Sequence, residues 1–177
     1  MEASAGCVCM EPSQLIDEAA RDRARDLLHS CCGSTRWVER MLALRPFGTT
    51  GSMLSAAQRE WFALGPEDWI EAFSHHPKIG DRESLRARFP TTHHLSEREQ
   101  AGVSGASDET IEALAQGNAA YERRFGYIFI VCASGRSAGE MLDLLTARLR
   151  NDPLVEERIA AEEQAKITAL RLKRLSH

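Results

Sequence analysis

The chain has 177 residues, with 22 Lys and Arg against 26 Asp and Glu for a net charge of −4. Charges of both signs are mixed along it, which argues against the basic face that nucleic acid binding needs, and no apolar run approaches the ~20 residues of a membrane span. Residues Met1 to Gly6 lack the regions of a signal peptide, and Arg174-Leu175-Ser176-His177 is not a peroxisomal address, so a cytoplasmic protein is expected.

The rest of the chain reads as helix after helix, a single all-α domain over 13–177 behind a disordered leader at 1–12. Leu15, Ile16, Ala19, Ala20, Ala24, Leu27, Leu28 and Cys31 recur at three- and four-residue steps, with Ser13 placed to cap that helix and Gly33 to end it. A short helix through Trp37, Val38, Met41 and Leu42 stops at Arg45-Pro46-Phe47-Gly48. The next carries Met53, Leu54, Ala57, Trp61 and Phe62 as far as Gly65. Pro66-Glu67-Asp68 opens another, with proline in the first turn and acids at the positive dipole end. Trp69, Ile70 and Phe73 should be its buried face. It delivers His75 and His76 to a break at Pro77, because a proline ring disfavours helical geometry in the residue before it.

Ser96 with Glu99, and Ser137 with Glu140, each fit a capping box at a helix start. Between them a long helix through Ile111, Leu114, Ala115, Asn118, Tyr121 and Phe125 should end at Gly126. Tyr127 to Cys132 is β-branched, aromatic and short, yet one strand cannot make a sheet. It is expected as an extended buried segment whose backbone groups need other partners, a polar ligand among them. Met141, Leu142, Leu144, Leu145 and Leu149 mark the following helix, and Pro153 can open the last, through Ile159, Ala160, Ile167, Leu170 and Leu175.

Five cysteines, Cys7, Cys9, Cys31, Cys32 and Cys132, show no zinc-knuckle spacing and no evident disulfide framework. His75, His76, His93 and His94 invite a metal reading, but adjacent histidines point in different directions and none has the i, i+4 spacing of a zincin. No metal is therefore expected. His76, on a stiff turn with carboxylates available from the next segment, is a candidate acid/base group. Taken alone, His76 is more often a structural turn residue, Glu99 a capping one, and Arg171 an exposed or salt-bridged helix residue.

Taken together and in order, Arg45-Pro46-Phe47, Ala72-Phe73, His76-Pro77 with Ile79-Gly80, Ser96 with Glu99-Gln100, Asn118 with Tyr121, Phe125-Gly126, Phe129 to Cys132, and Lys166-Ile167 with Leu170-Arg171-Leu172 resemble the 2-oxo-4-hydroxy-4-carboxy-5-ureidoimidazoline (OHCU) decarboxylase family. The resemblance covers about residues 13 to 174. It implies an all-α fold and cofactor-free decarboxylation of OHCU to (S)-allantoin in uric acid breakdown, by a free-standing chain that could pair as a homodimer. It also implies that His76 and Glu99 are catalytic. Substrate contacts are implied for Pro77, for Ser96, Glu97, Arg98, Glu99 and Gln100, for Phe129, Ile130, Val131, Cys132 and Ala133, and for Arg171. Three alternatives stay open: another ureide enzyme on the same scaffold, a zinc hydrolase, and a helical interaction module.

Overall fold

The computed structural model describes residues 10–76 and 107–175. Within them lie eight α-helices and no strand: α1 Pro12–Glu18, α2 Arg21–Cys31, α3 Thr35–Ala43, α4 Thr50–Phe62, α5 Pro66–Ser74, α6 Asp108–Phe125, α7 Ala138–Arg148 and α8 Pro153–Lys173. The all-α expectation holds. By internal contacts the chain falls into two units, residues 1–72 with 165–177, and residues 73–164.

The first unit packs α1 to α4 around Ile16, Leu28, Trp37, Met41, Met53 and Trp61, all essentially without solvent contact. Indole nitrogens buried here must find acceptors. Trp37 Nε1 donates to the Ala57 carbonyl at 3.0 Å, and Trp69 Nε1 to the Trp61 carbonyl at 3.2 Å. Ser34 caps α3 by accepting from the Trp37 N–H. Thr35 ties that helix start to α5 through both its N–H and its hydroxyl, each donating to Glu71.

Three expectations change in this unit. The helix read as continuous from Leu15 to Cys31 is two, broken at Ala19-Ala20. Ser13 is not a cap but lies inside α1, whose cap is Glu11, with the Glu11 N–H donating to Gln14 Oε1 at 3.2 Å. Helical structure thus starts at Pro12, one residue before the expected boundary. Finally, Ile70 faces outward, 43% exposed, whereas Trp69 and Phe73 are buried as expected.

The second unit is built on α6 and α7. Gly117 lies where they approach closely: a Cβ there would meet Leu145 Cδ2 at 2.6 Å, so any other residue requires the Leu145 side chain to shift. Gly126 ends α6 at φ +80°, its N–H donating to the Glu122 carbonyl. Ser137 and Glu140 form the expected capping box on α7, and hydrogen bonds from the Ser137 N–H and hydroxyl hold the Glu140 carboxyl below its ordinary pKa. Between α6 and α7, residues 127–133 run without helix or strand pairing, with Tyr127 and Ile130 buried.

Candidate active site

Buried charge is a notable feature of the second unit. Glu156 and Arg148 are both buried, with Arg148 Nη2 2.6 Å and Nε 2.7 Å from Glu156 Oε1. The Tyr121 hydroxyl donates to the same oxygen, and Asn151 Nδ2 donates to Glu156 Oε2 at 2.7 Å. Burial, together with the carboxylate it donates to, pushes the Tyr121 hydroxyl well above its ordinary pKa. A buried ion pair is tolerable only when its remaining polar atoms are satisfied, and here they are. Arg148 Nη1 donates to the Ile130 carbonyl at 2.8 Å, and its guanidinium lies 4.7 Å from the Phe129 ring centroid. Phe129 also meets Tyr121 edge-on, centroids 5.1 Å apart.

The network therefore reaches the extended segment and anchors it from one side. A second anchor comes from α8, where buried Glu163 accepts from the Cys132 N–H at 2.7 Å. On the outer side Arg136 folds back, its Nε donating to the Cys132 carbonyl and its N–H to the Ala133 carbonyl. The Cys132 N–H and the Ile130, Cys132 and Ala133 carbonyls thus have protein partners. Among the described residues the Val131 N–H and carbonyl bond to none, so solvent or a ligand is left to pair them.

His76 follows α5, its N–H donating to the Phe73 carbonyl at 3.2 Å as the helix tightens to a close. Its Nε2 lies 2.5 Å from Oε1 of Gln164, a side chain with no solvent exposure. Glu163 and Gln164, neighbours on α8, thus bring His76 and the Phe129–Ala133 segment to one turn of that helix. Pro77 and Ser96, Glu97, Arg98, Glu99 and Gln100 lie outside the described residues.

Arg171 belongs to the first unit, in the last turn of α8. There its Nη1 points at the Ser30 and Cys31 carbonyls, 3.5 and 3.3 Å away, at the end of α2 where unpaired carbonyls favour a cation. Cys31 and Cys32 are free and buried, and burial raises their thiols to about 11 and about 12. Neither is set up as a thiolate nucleophile. No three His, Cys, Asp or Glu among the described residues gather as a metal site would require, and no helix among them is long and apolar enough to cross a membrane.

Arg148, Glu156, Glu163 and Gln164 were not among the candidates read from sequence. A signal existed: Glu156, Ala160, Glu163 with Gln164, and Thr168 follow one another at helical spacing, and all are buried. The stripe reads as polar surface because its partners come from distant segments.

Comparison with known proteins agrees with this architecture. The family model described as OHCU decarboxylase matches residues 17–173. The uric acid degradation bifunctional protein TTL of Arabidopsis thaliana is 38% identical over 82% of this chain and 45% of its own length. The 2-oxo-4-hydroxy-4-carboxy-5-ureidoimidazoline decarboxylase of Amia calva is 35% identical over 55% of each chain. This chain thus spans about half the length of these curated relatives. Among solved structures, an OHCU decarboxylase crystallised in the presence of (S)-allantoin superposes with a TM-score of 0.67 at 38% identity, covering 83% of this chain and 94% of that one. An (S)-allantoin synthase shares the fold at 18% identity, TM-score 0.64, over 92% of this chain and 53% of that one.

Proposed function

Because the chain belongs to the OHCU decarboxylase family, we propose that it converts OHCU to (S)-allantoin and carbon dioxide. The observation that carries this reading is the family match over residues 17–173. The solved relative crystallised with (S)-allantoin supports the choice of product.

The chemistry follows from the substrate. Its carboxylate sits on a ring carbon that also bears a hydroxyl and adjoins a C=N bond. When carbon dioxide leaves, its bonding electrons enter a new C=C bond and the C=N pair moves onto nitrogen, which takes up a proton. The hydroxyl carbon then becomes a carbonyl, and the neighbouring carbon takes a proton on one face. No cofactor enters this scheme, because the substrate is its own electron sink.

The protein must hold the ring, stabilise developing charge and deliver that proton. His76, whose ordinary pKa near 6.5 suits proton exchange at neutral pH, serves the hydroxyl or the new carbon centre. Glu99 orients it or polarises the hydroxyl. Pro77, Ser96 to Gln100 and the backbone from Phe129 to Ala133 contact the substrate, with fixed amide dipoles in the last segment facing polar ring edges. Within that segment the backbone groups without protein partners, the Val131 N–H and carbonyl among them, are assigned to ligand, whereas the Cys132 N–H is held by Glu163. Arg171 is assigned a carboxylate or ureido oxygen, which its planar fork suits.

The test is to generate the substrate in situ from urate and follow optically active allantoin by circular dichroism. Wild type should accelerate its appearance, and His76→Asn should lower turnover by about 10² or more with the helical spectrum unchanged. Full activity in His76→Asn removes the mechanism. Activity should also survive exhaustive chelation, whereas loss on chelation with recovery by zinc would favour a metal hydrolase.

A further inference from the structure

The reading above makes His76 a proton exchanger but does not say which ring nitrogen exchanges. The contact with Gln164 bears on this. An amide oxygen can only accept a hydrogen bond, so a ring nitrogen 2.5 Å from Gln164 Oε1 must carry hydrogen. In a neutral imidazole a proton on Nε2 leaves the basic lone pair on Nδ1. Gln164 is suited to enforce this. It is fully buried in the middle of α8, where its backbone is fixed by helical hydrogen bonds, and the adjacent Glu163 is locked onto the Cys132 N–H.

The partner's neutrality matters as well. A carboxylate at this distance would favour the imidazolium and oppose the ring's action as a base. An amide orients the ring without adding charge. A side chain lacking an acceptor would remove the contact that selects hydrogen on Nε2.

We propose that Gln164 is a positioning residue that holds His76 as the Nε2–H tautomer, so that Nδ1 is the nitrogen that exchanges the reacting proton and, of the two roles open to Glu99, polarising the substrate hydroxyl is the one that remains. This rests on the catalytic assignment of His76, and the experiment separates the two. Long-range 15N–1H correlation spectra of labelled full-length protein read the tautomer directly, with the His76 ring identified by the signals lost in His76→Asn.

Wild type with a neutral ring should show a protonated Nε2 and an unprotonated Nδ1, and Gln164→Met should show a smaller Nε2–H population. Gln164→Met should also lower kcat roughly tenfold, part of the ~10²–10⁴ that a general acid/base contributes, with KM little changed. An Nδ1–H tautomer in wild type overturns the proposal even if the methionine variant fails to fold. So does a folded Gln164→Met enzyme that keeps wild-type kcat while His76→Asn is inactive. If His76→Asn itself is fully active, the catalytic assignment has failed instead, and a wild-type Nε2–H pattern would leave only the tautomer lock standing.

Discussion

A capping glutamate and a catalytic one differ in what they tolerate. Glutamine replaces glutamate in a capping box with little loss, because the amide oxygen still accepts the N-cap N–H. Glu99→Gln should therefore leave the melting temperature nearly unchanged while abolishing most turnover. Unchanged turnover would return Glu99 to a purely capping role. Arg171 poses a similar choice. Its Nη1 contact with the Ser30 and Cys31 carbonyls is one a lysine could largely replace, whereas bidentate recognition of a planar anion is not. Arg171→Lys should raise KM with a smaller change in kcat and no loss of helicity. A binding defect in Arg174→Lys, with Arg171→Lys behaving as wild type, would shift the assignment to that neighbour.

At the scale of elements, what could be read from sequence was whatever local chemistry decides. The Ser137–Glu140 box, the Gly126 end of α6 and the openings of α5 and α8 at Pro66 and Pro153 all depend on residues within a turn of one another. The break between α1 and α2 does not. Ala19-Ala20 is ideal helix sequence, yet Arg45 donates from Nη2 to the Asp17 and Ala19 carbonyls, while the Asp17 carboxylate accepts from the Phe47 and Gly48 N–H groups. A loop some 28 residues away supplies those partners, so no local pattern announces them. The same holds for the anchors of the extended segment. The segment itself stood out as unpaired backbone, but Arg148, Glu156 and Glu163 reach it from elsewhere. Removing one member of the buried pair leaves the other uncompensated. Glu156→Ala should thus cost about 3–5 kcal/mol of stability by urea denaturation. Arg148→Met with Glu156→Leu together should cost much less than the sum of the single changes. Additive losses would mean that the pair acts independently.

For the molecule as a whole, both units keep neutral acids buried, and this sets a common response to alkali. In the first unit burial raises Cys31 to about 11 and Cys32 to about 12 from an ordinary 9.0. In the second, burial raises Tyr127 to about 12, and Tyr121 moves further upward, from an ordinary 10.0. For every one of these groups the folded pKa exceeds the unfolded one. Above the ordinary value the unfolded chain holds fewer protons than the folded chain, so stability falls as pH rises. Their contribution is complete below pH 9, where both states are protonated, and is lost as pH climbs through the folded values. The midpoint of urea unfolding, followed by helical circular dichroism, should not fall on account of these groups between pH 7 and 8.5, and should decline from about pH 9. Replacing both thiols, Cys31→Ala with Cys32→Ala, should lower stability at every pH through the lost packing. It should also move the onset of the decline about one pH unit higher, to where the phenols begin to titrate. An unchanged onset in the double variant would assign the alkaline loss to groups other than the buried cysteines.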